Sequence, residues 1–202
     1  MIRVGIDLDH VVRNINKQIV KYYKKDYEPS LDDESIDLTD DVTKILGFKH
    51  KNDLYNFLYI DYPYEVYGCA KTMDKNLPSE INKWLYNLTN YENDEIEIFY
   101  YSMNEDALTI QSSYFFLSRI GTRVRKVLFP KNVNDIIDAA DVLITANPLI
   151  LDKSDKTFNV LIKRTFNKDS QGKYDAEYDS LEDLINDASI LDKWSEYIKK
   201  NN

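Results

Sequence analysis

Arg3-Val4-Gly5-Ile6-Asp7-Leu8-Asp9 is a short, largely β-branched run that is apolar along one face and stops at two aspartates. Residues 2–8 therefore predict a central strand of a parallel sheet, buried on both faces. Asp7 and Asp9 are two apart, so both carboxylates can leave the strand end together. Beyond them Ile15, Ile19, Tyr22 and Tyr23 recur at i, i+4, i+7 and i+8, which predicts a helix over 14–25. A strand, a turn with two acids and a helix form the first unit of an α/β domain.

Working outward, 26–41 is acidic and contains Pro29, as a surface loop would. Residues 41–67 interleave Phe48, Tyr55, Phe57, Tyr59, Tyr62, Tyr64 and Tyr67 with Leu and Ile, and predict one or two short helices. Ile81, Trp84, Leu85 and Leu88 follow helical spacing after Pro78 and Ser79, giving a helix over 76–89. Strands are expected at 95–101, 125–129, 141–145 and 158–164, separated by helices at 104–120 and 134–140. Ser180 and Asp183 open a terminal amphipathic helix like a capping box. This alternation predicts a parallel α/β sheet flanked by helices, with right-handed crossovers.

Composition narrows the chemistry. The chain has 202 residues, 43% hydrophobic, enough for one core domain with an insertion. A net charge of -9 argues against general nucleic-acid binding or attachment to an anionic membrane. One cysteine, Cys69, and two histidines, His10 and His50, cannot assemble a disulfide or a conventional zinc site, so the available chemistry is that of oxygen ligands. The first apolar run is interrupted by Asp7 and Asp9, unlike a secretion signal, and no run reaches membrane-spanning length. A soluble cytoplasmic protein is expected. Aromatic residues are 13% of the chain, with Tyr 16, and tyrosine-rich surfaces suit contact with partners.

Ligands of open α/β sheets gather at the carboxyl ends of the strands, where Asp7, Ser102 and Thr145 all fall. There one carboxylate can attack phosphorus while its neighbour carries the leaving-group proton. In these residues and their order the sequence resembles the haloacid dehalogenase (HAD) superfamily of phosphatases, in particular its small 5'-nucleotidase-like members from bacteria and phages. Gly5-Ile6-Asp7-Leu8-Asp9-His10-Val11-Val12 is similar to the first motif, the strand ending in Ser102 to the second, Lys131 to the third, and Asp141-Val142-Leu143-Ile144-Thr145-Ala146-Asn147-Pro148 to the fourth. The resemblance implies a HAD-like Rossmannoid core of residues 1–15 and 91–202, with a small helical cap, 16–90, inserted after the first strand. It further implies that Asp7 is the nucleophile, Asp9 the acid/base, Ser102 a phosphoryl hydrogen-bond donor and Lys131 the balancing charge, with Lys126 a second candidate for that lysine. Asp7, and the backbone carbonyl of Asp9, would face a magnesium ion.

The fourth motif departs from the family, which ends this strand in one or two aspartates where Thr145 and Ala146 stand here. Magnesium is usually anchored by one or two carboxylates, so Mg2+ binding is expected to be weak or absent. Arg13 could bind an anion beside Asp9. Simpler readings stand beside these roles: Asp7 and Asp9 as a turn, Ser102 as a helix cap, Lys131 as a surface lysine, Arg13 in a salt bridge to an acidic cap residue, and the cap aromatics as cap core. The expected function is a HAD fold with a degraded metal site that serves as a binding or structural component, joined to a protein partner or a second copy. The alternative is a magnesium-dependent phosphatase for nucleoside monophosphates or other small phosphoesters. Richness in Tyr, Asn, Asp and Lys resembles proteins of AT-rich phages, where such folds become virion or assembly components.

Overall fold

The computed structural model describes residues 1–37, 41–90, 96–103, 106–170 and 172–201. Six parallel strands form one sheet in the order β5-β4-β1-β6-β7-β8. These are β1 (Ile2–Asp7), β4 (Ile96–Tyr101), β5 (Lys126–Leu128), β6 (Val142–Thr145), β7 (Phe158–Ile162) and β8 (Ala176–Tyr178). A separate antiparallel pair, β2 (Arg13–Asn14) with β3 (Lys71–Thr72), brackets residues 15–70. The helices are α1 (Asn16–Asp26), α2 (Val42–Ile45), α3 (Lys51–Asn56), α4 (Leu77–Asn90), α5 (Ala107–Ile120), α6 (Val133–Ala139), α7 (Pro148–Leu151), α8 (Leu181–Asn186) and α9 (Ile190–Asn201).

The β1 run is continuous because strands pair with it on both edges and helices cover it on both faces. Ile2 pairs with Ile96 and Asp7 with Tyr101 on one flank, and Val4 pairs with Val142 and Ile6 with Ile144 on the other. One sheet face, with Val4, Ile6, Tyr100, Ile144 and Val160, packs against α4, α5 and the two terminal helices. The other, with Phe99, Tyr101, Leu143 and Leu161, packs against α6 and α7. Gly5 lies where the Phe99 ring crosses β1, and an added Cβ would stand 2.9 Å from Phe99 Cζ. Gly5→Ala is therefore expected to overpack the sheet, lowering stability by about 1–3 kcal/mol in urea unfolding. An unchanged midpoint would show that the ring moves aside freely.

The 16–90 segment divides between two clusters. Ile19, Val20, Tyr23, Val42, Leu46, Phe57, Leu58, Val66 and Tyr67 form a small core of their own, which is the helical cap. Leu77, Ile81, Trp84 and Leu88 of α4 join the sheet's core instead, with Trp84 meeting Trp194 edge-on at 6.0 Å. Most of the aromatic run serves the cap interior: Tyr67 and Phe57 are buried, Tyr59 and Tyr62 are half-buried, and Tyr55 and Tyr64 remain exposed. Two wide helical turns, Phe57–Asp61 and Tyr64–Gly68, carry Phe57, Tyr59, Tyr64 and Tyr67. The second is seated on α5, where a Cβ at Gly68 would press on Phe115 and the Ser112 carbonyl at 3.3 Å.

Two expectations change in detail. The terminal helix is two helices, interrupted where the Asp187 carboxylate accepts the Ser189 N–H and hydroxyl. Ser180 does cap the first of them, accepting the Asp183 N–H at 3.0 Å. Strands β2, β3 and β8 are additional, being too short to show periodicity. The expected first residue of the second strand, 95, and of the following helix, 104, lie outside the described residues. Among those described, no helix is long and apolar enough to cross a membrane.

Candidate functional site

At the end of β1 the chain turns sharply. The N–H groups of Val12 and Arg13 both donate to the Leu8 carbonyl, at 3.2 and 2.8 Å. His10 closes this turn in the left-handed region, φ +62°, which non-glycine residues enter rarely. Its own N–H donates to the Arg13 carbonyl, its carbonyl accepts Nε of Arg164 at 2.8 Å, and its ring meets Phe166 edge-on. The reversal delivers Arg13, on β2, back beside Asp9.

Two linked groups follow. In the first, the Asp9 N–H donates to Asp7 Oδ1 at 3.1 Å, and Thr145 Oγ1 donates to Asp7 Oδ2 at 2.7 Å. The Asn147 N–H donates to Thr145 Oγ1 at 3.0 Å, which aims the threonine proton at Asp7. In the second, Asp9 Oδ1 accepts Arg13 Nε at 2.8 Å and Asp9 Oδ2 accepts Ser102 Oγ at 2.7 Å. Arg13 also donates from Nη2 to Asp9 Oδ2 and to Ser102 Oγ, and from Nη1 to Ser113 Oγ at 2.6 Å. Its guanidinium is fully buried, 5.0 Å from the ring centre of Tyr67 in the cap and 5.8 Å from that of Phe116 in α5.

The structure thus brings together Asp7, Asp9, Ser102 and Thr145. Ser102 is not a helix cap; Asp106 performs that task for α5, accepting the N–H groups of Leu108 and Thr109. Arg13 pairs with Asp9 itself rather than with an acidic residue of the cap. Lys131 stands exposed on the loop between β5 and α6, outside this hydrogen-bonded group. Lys126 lies opposite Phe99, short of the strand end, with its ammonium 3.1 Å from Glu97 Oε2. Among the described residues, Arg13 is the cation that the group contains. Arg164 and Asn167 extend the scaffold: Arg164 holds the His10 carbonyl, and Asn167 Nδ2 donates to the carbonyls of Ala146 and Ile162.

Burial, reinforced by the charge of Asp9, pushes the Asp7 carboxyl up to about 8. Burial also opposes the charge on Asp9, yet the Arg13 guanidinium and its hydrogen bonds win and hold Asp9 below the usual carboxylate range. Burial lowers His10 and so favours its neutral ring. The Tyr101 hydroxyl, opposite Asp7 in the register, is fully buried and has no partner among the described residues; burial and then the Asp7 charge raise it well above its ordinary value.

For magnesium, the donors at the strand ends among the described residues are the Asp7 carboxylate, the Asp9 carbonyl and uncharged groups after β6. Ala146 is buried with its carbonyl given to Asn167, and the Asn147 side chain caps α7 by accepting the Leu149 N–H. Among the described residues no three His, Cys, Asp or Glu side chains converge as a metal-binding group. This donor set does not fit the hard, carboxylate-anchored shell that magnesium favours. Above the strand ends a cleft of about 480 Å³ opens against the cap, with Asp9, His10, Ile19, Tyr59, Tyr67 and Phe166 among its walls.

No family model matches the sequence, and no curated protein matches it. Solved structures do. A chain from Burkholderia xenovorans described as a haloacid dehalogenase-like hydrolase superposes with a TM-score of 0.59 at 9% identity, covering 96% of this chain and 98% of that one. The HAD-hydrolase YfnB of Bacillus subtilis, in a magnesium-bound form, gives a TM-score of 0.47 at 11% identity over 91% and 96% of the two chains. The first of these likenesses shows that the chain has the haloacid dehalogenase-like fold.

Proposed function

We propose that this chain uses a haloacid dehalogenase-like fold for binding, without efficient phosphoryl transfer and with magnesium binding weak or absent. The observation that carries this reading is the end of β6, where Thr145 offers Asp7 a hydroxyl in the place of a second carboxylate. Displacement by an aspartate nucleophile needs Asp7 as an available anion and Asp9 as a proton donor. Here Asp7 favours its neutral form while Asp9 is held ionised by Arg13, the reverse of that assignment. A phosphate dianion approaching an ionised Asp7 with no shielding ion is opposed by about 4 kcal/mol per unit-charge pair at 4 Å and an effective dielectric near 20. Each such pair costs roughly three decades of rate.

The cleft is the binding surface this reading favours. Its aromatic walls and the pairing of Lys44 with Asp41 at its rim suit a small uncharged aromatic molecule better than a phosphate ester. A protein partner or a second copy would use what the cap leaves outward, Tyr55, Ile60 and Tyr64; an assembly role, in a phage particle or elsewhere, would rest on that surface. The phosphatase reading keeps one supporting observation, the convergence of Asp7, Asp9 and Ser102 at adjoining strand ends.

Turnover decides between them. With magnesium present, hydrolysis of p-nitrophenyl phosphate and of nucleoside monophosphates is expected to stay near background. Robust turnover that Asp7→Ala abolishes would overturn the binding reading; activity that survives Asp7→Ala would belong to a contaminant.

A further inference from the structure

We infer that Arg13 is the resident cation of this site, a guanidinium that does the charge-neutralising work a divalent ion would otherwise do at the ends of β1 and β4. The inference rests on the binding reading and deepens it. Arg13 is fully buried, and among the described residues its contacts include Asp9 after β1, Ser102 after β4, Ser113 on α5 and the Tyr67 ring of the cap. A surface ion pair formed by proximity has no such enclosure. The guanidinium is planar, permanently charged and carries five N–H donors, so it can engage both oxygens of Asp9 and two hydroxyls at once. The β2–β3 pairing, with Arg13 opposite Thr72, fixes the backbone from which it reaches.

A divalent ion entering beside Asp9 would meet a fixed positive charge a few ångströms away and would find the carboxylate oxygens already taken. Asp7 in turn receives the Thr145 proton and the Asp9 N–H. Removing Arg13 reverses the balance, because among the described residues the ionised Asp9, beside Asp7, is then left with no cation. A site that loses its own cation should acquire a need for one from solution.

Manganese(II) is the probe, read by thermal unfolding and by calorimetric titration on the full chain. The wild-type midpoint is expected to be indifferent to millimolar MnCl2. Arg13→Gln should unfold at lower temperature and recover by roughly 3 °C or more with MnCl2, whereas Arg13→Lys, which keeps the charge, should stay indifferent. If Arg13→Gln is unfolded as purified, refolding it from urea with and without MnCl2 gives the same reading. Recovery with the ion supports the inference, and lack of recovery overturns it, as does an Arg13→Gln protein that is folded and indifferent to manganese. Wild-type protein that binds manganese and turns over phosphate would instead remove the binding reading on which this one stands.

Discussion

Asp7→Asn is expected to stabilise the protein at pH 8, although it alters the centre of the candidate site. The Asp7 carboxyl is raised from 3.8 to about 8, first by burial and then by the charge of Asp9. Below pH 4 it is protonated in both folded and unfolded chains and contributes no penalty. As pH rises from about 4 to 8, the unfolded chain releases that proton while the folded chain retains it, so folding stability falls across this window. Asparagine keeps the shape and has no charge to desolvate. Its carbonyl can accept the Asp9 N–H, and its amide can donate to Thr145 Oγ1, freeing the threonine proton for the orphan Tyr101 hydroxyl nearby. The expected gain at pH 8 is on the order of 2–5 kcal/mol, shrinking toward zero at pH 4. Asp9 has the opposite sign: its depressed value gives stability that is present above about pH 4 and lost on further acidification. Urea unfolding at pH 5 and pH 8 checks the Asp7 slope, and unfolding followed from about pH 4 downward checks that of Asp9. An Asn variant that is less stable at pH 8, or that keeps the wild-type slope, would show that Asp7 is ionised in the folded protein.

Trp194→Ala should cost about 3–5 kcal/mol, in the range of large-to-small changes at fully buried aromatics. Trp194 on α9 has no exposed surface, meets Trp84 of α4 and belongs to the core that α8 and α9 build against the sheet. Its Nε1 has no acceptor among the described residues, and a buried donor without a partner is itself unfavourable. Trp194→Phe removes that donor while retaining most of the ring, so it should lose far less than Trp194→Ala. Equal losses in the two variants, measured by urea unfolding, would mean that indole shape rather than apolar burial holds the helix. The effect bears on the site because β7, which α9 covers, leads into Arg164 and Asn167, the residues that hold the His10 and Ala146 carbonyls.

The fold was legible where burial leaves a local signature. Residues 2–8 read as a central strand because a strand covered on both faces has little use for polar side chains, and β1 is that strand. Ile81, Trp84, Leu85 and Leu88 read as a helix because one apolar stripe needs 3.6-residue spacing, and α4 has it. Convergence of Asp7, Ser102 and Thr145 followed from parallel topology, which places every strand's carboxyl end at one edge. The assignment of α4 to the cap did not anticipate its packing on the sheet, since an apolar stripe records that a partner exists but not which one. Strands of two or three residues carry no period. Sequence reading left the partner of Arg13 open: its hydroxyl partners Ser102 and Ser113 lie 89 and 100 residues away, and Asp9 is brought beside it where His10 turns the chain through a left-handed conformation. The sequence by itself determined the strands, the helices and the edge at which their acids meet. Tertiary structure decided which charge each acid faces, because hydrogen bonds and ion pairs act over a few ångströms whatever the distance along the chain.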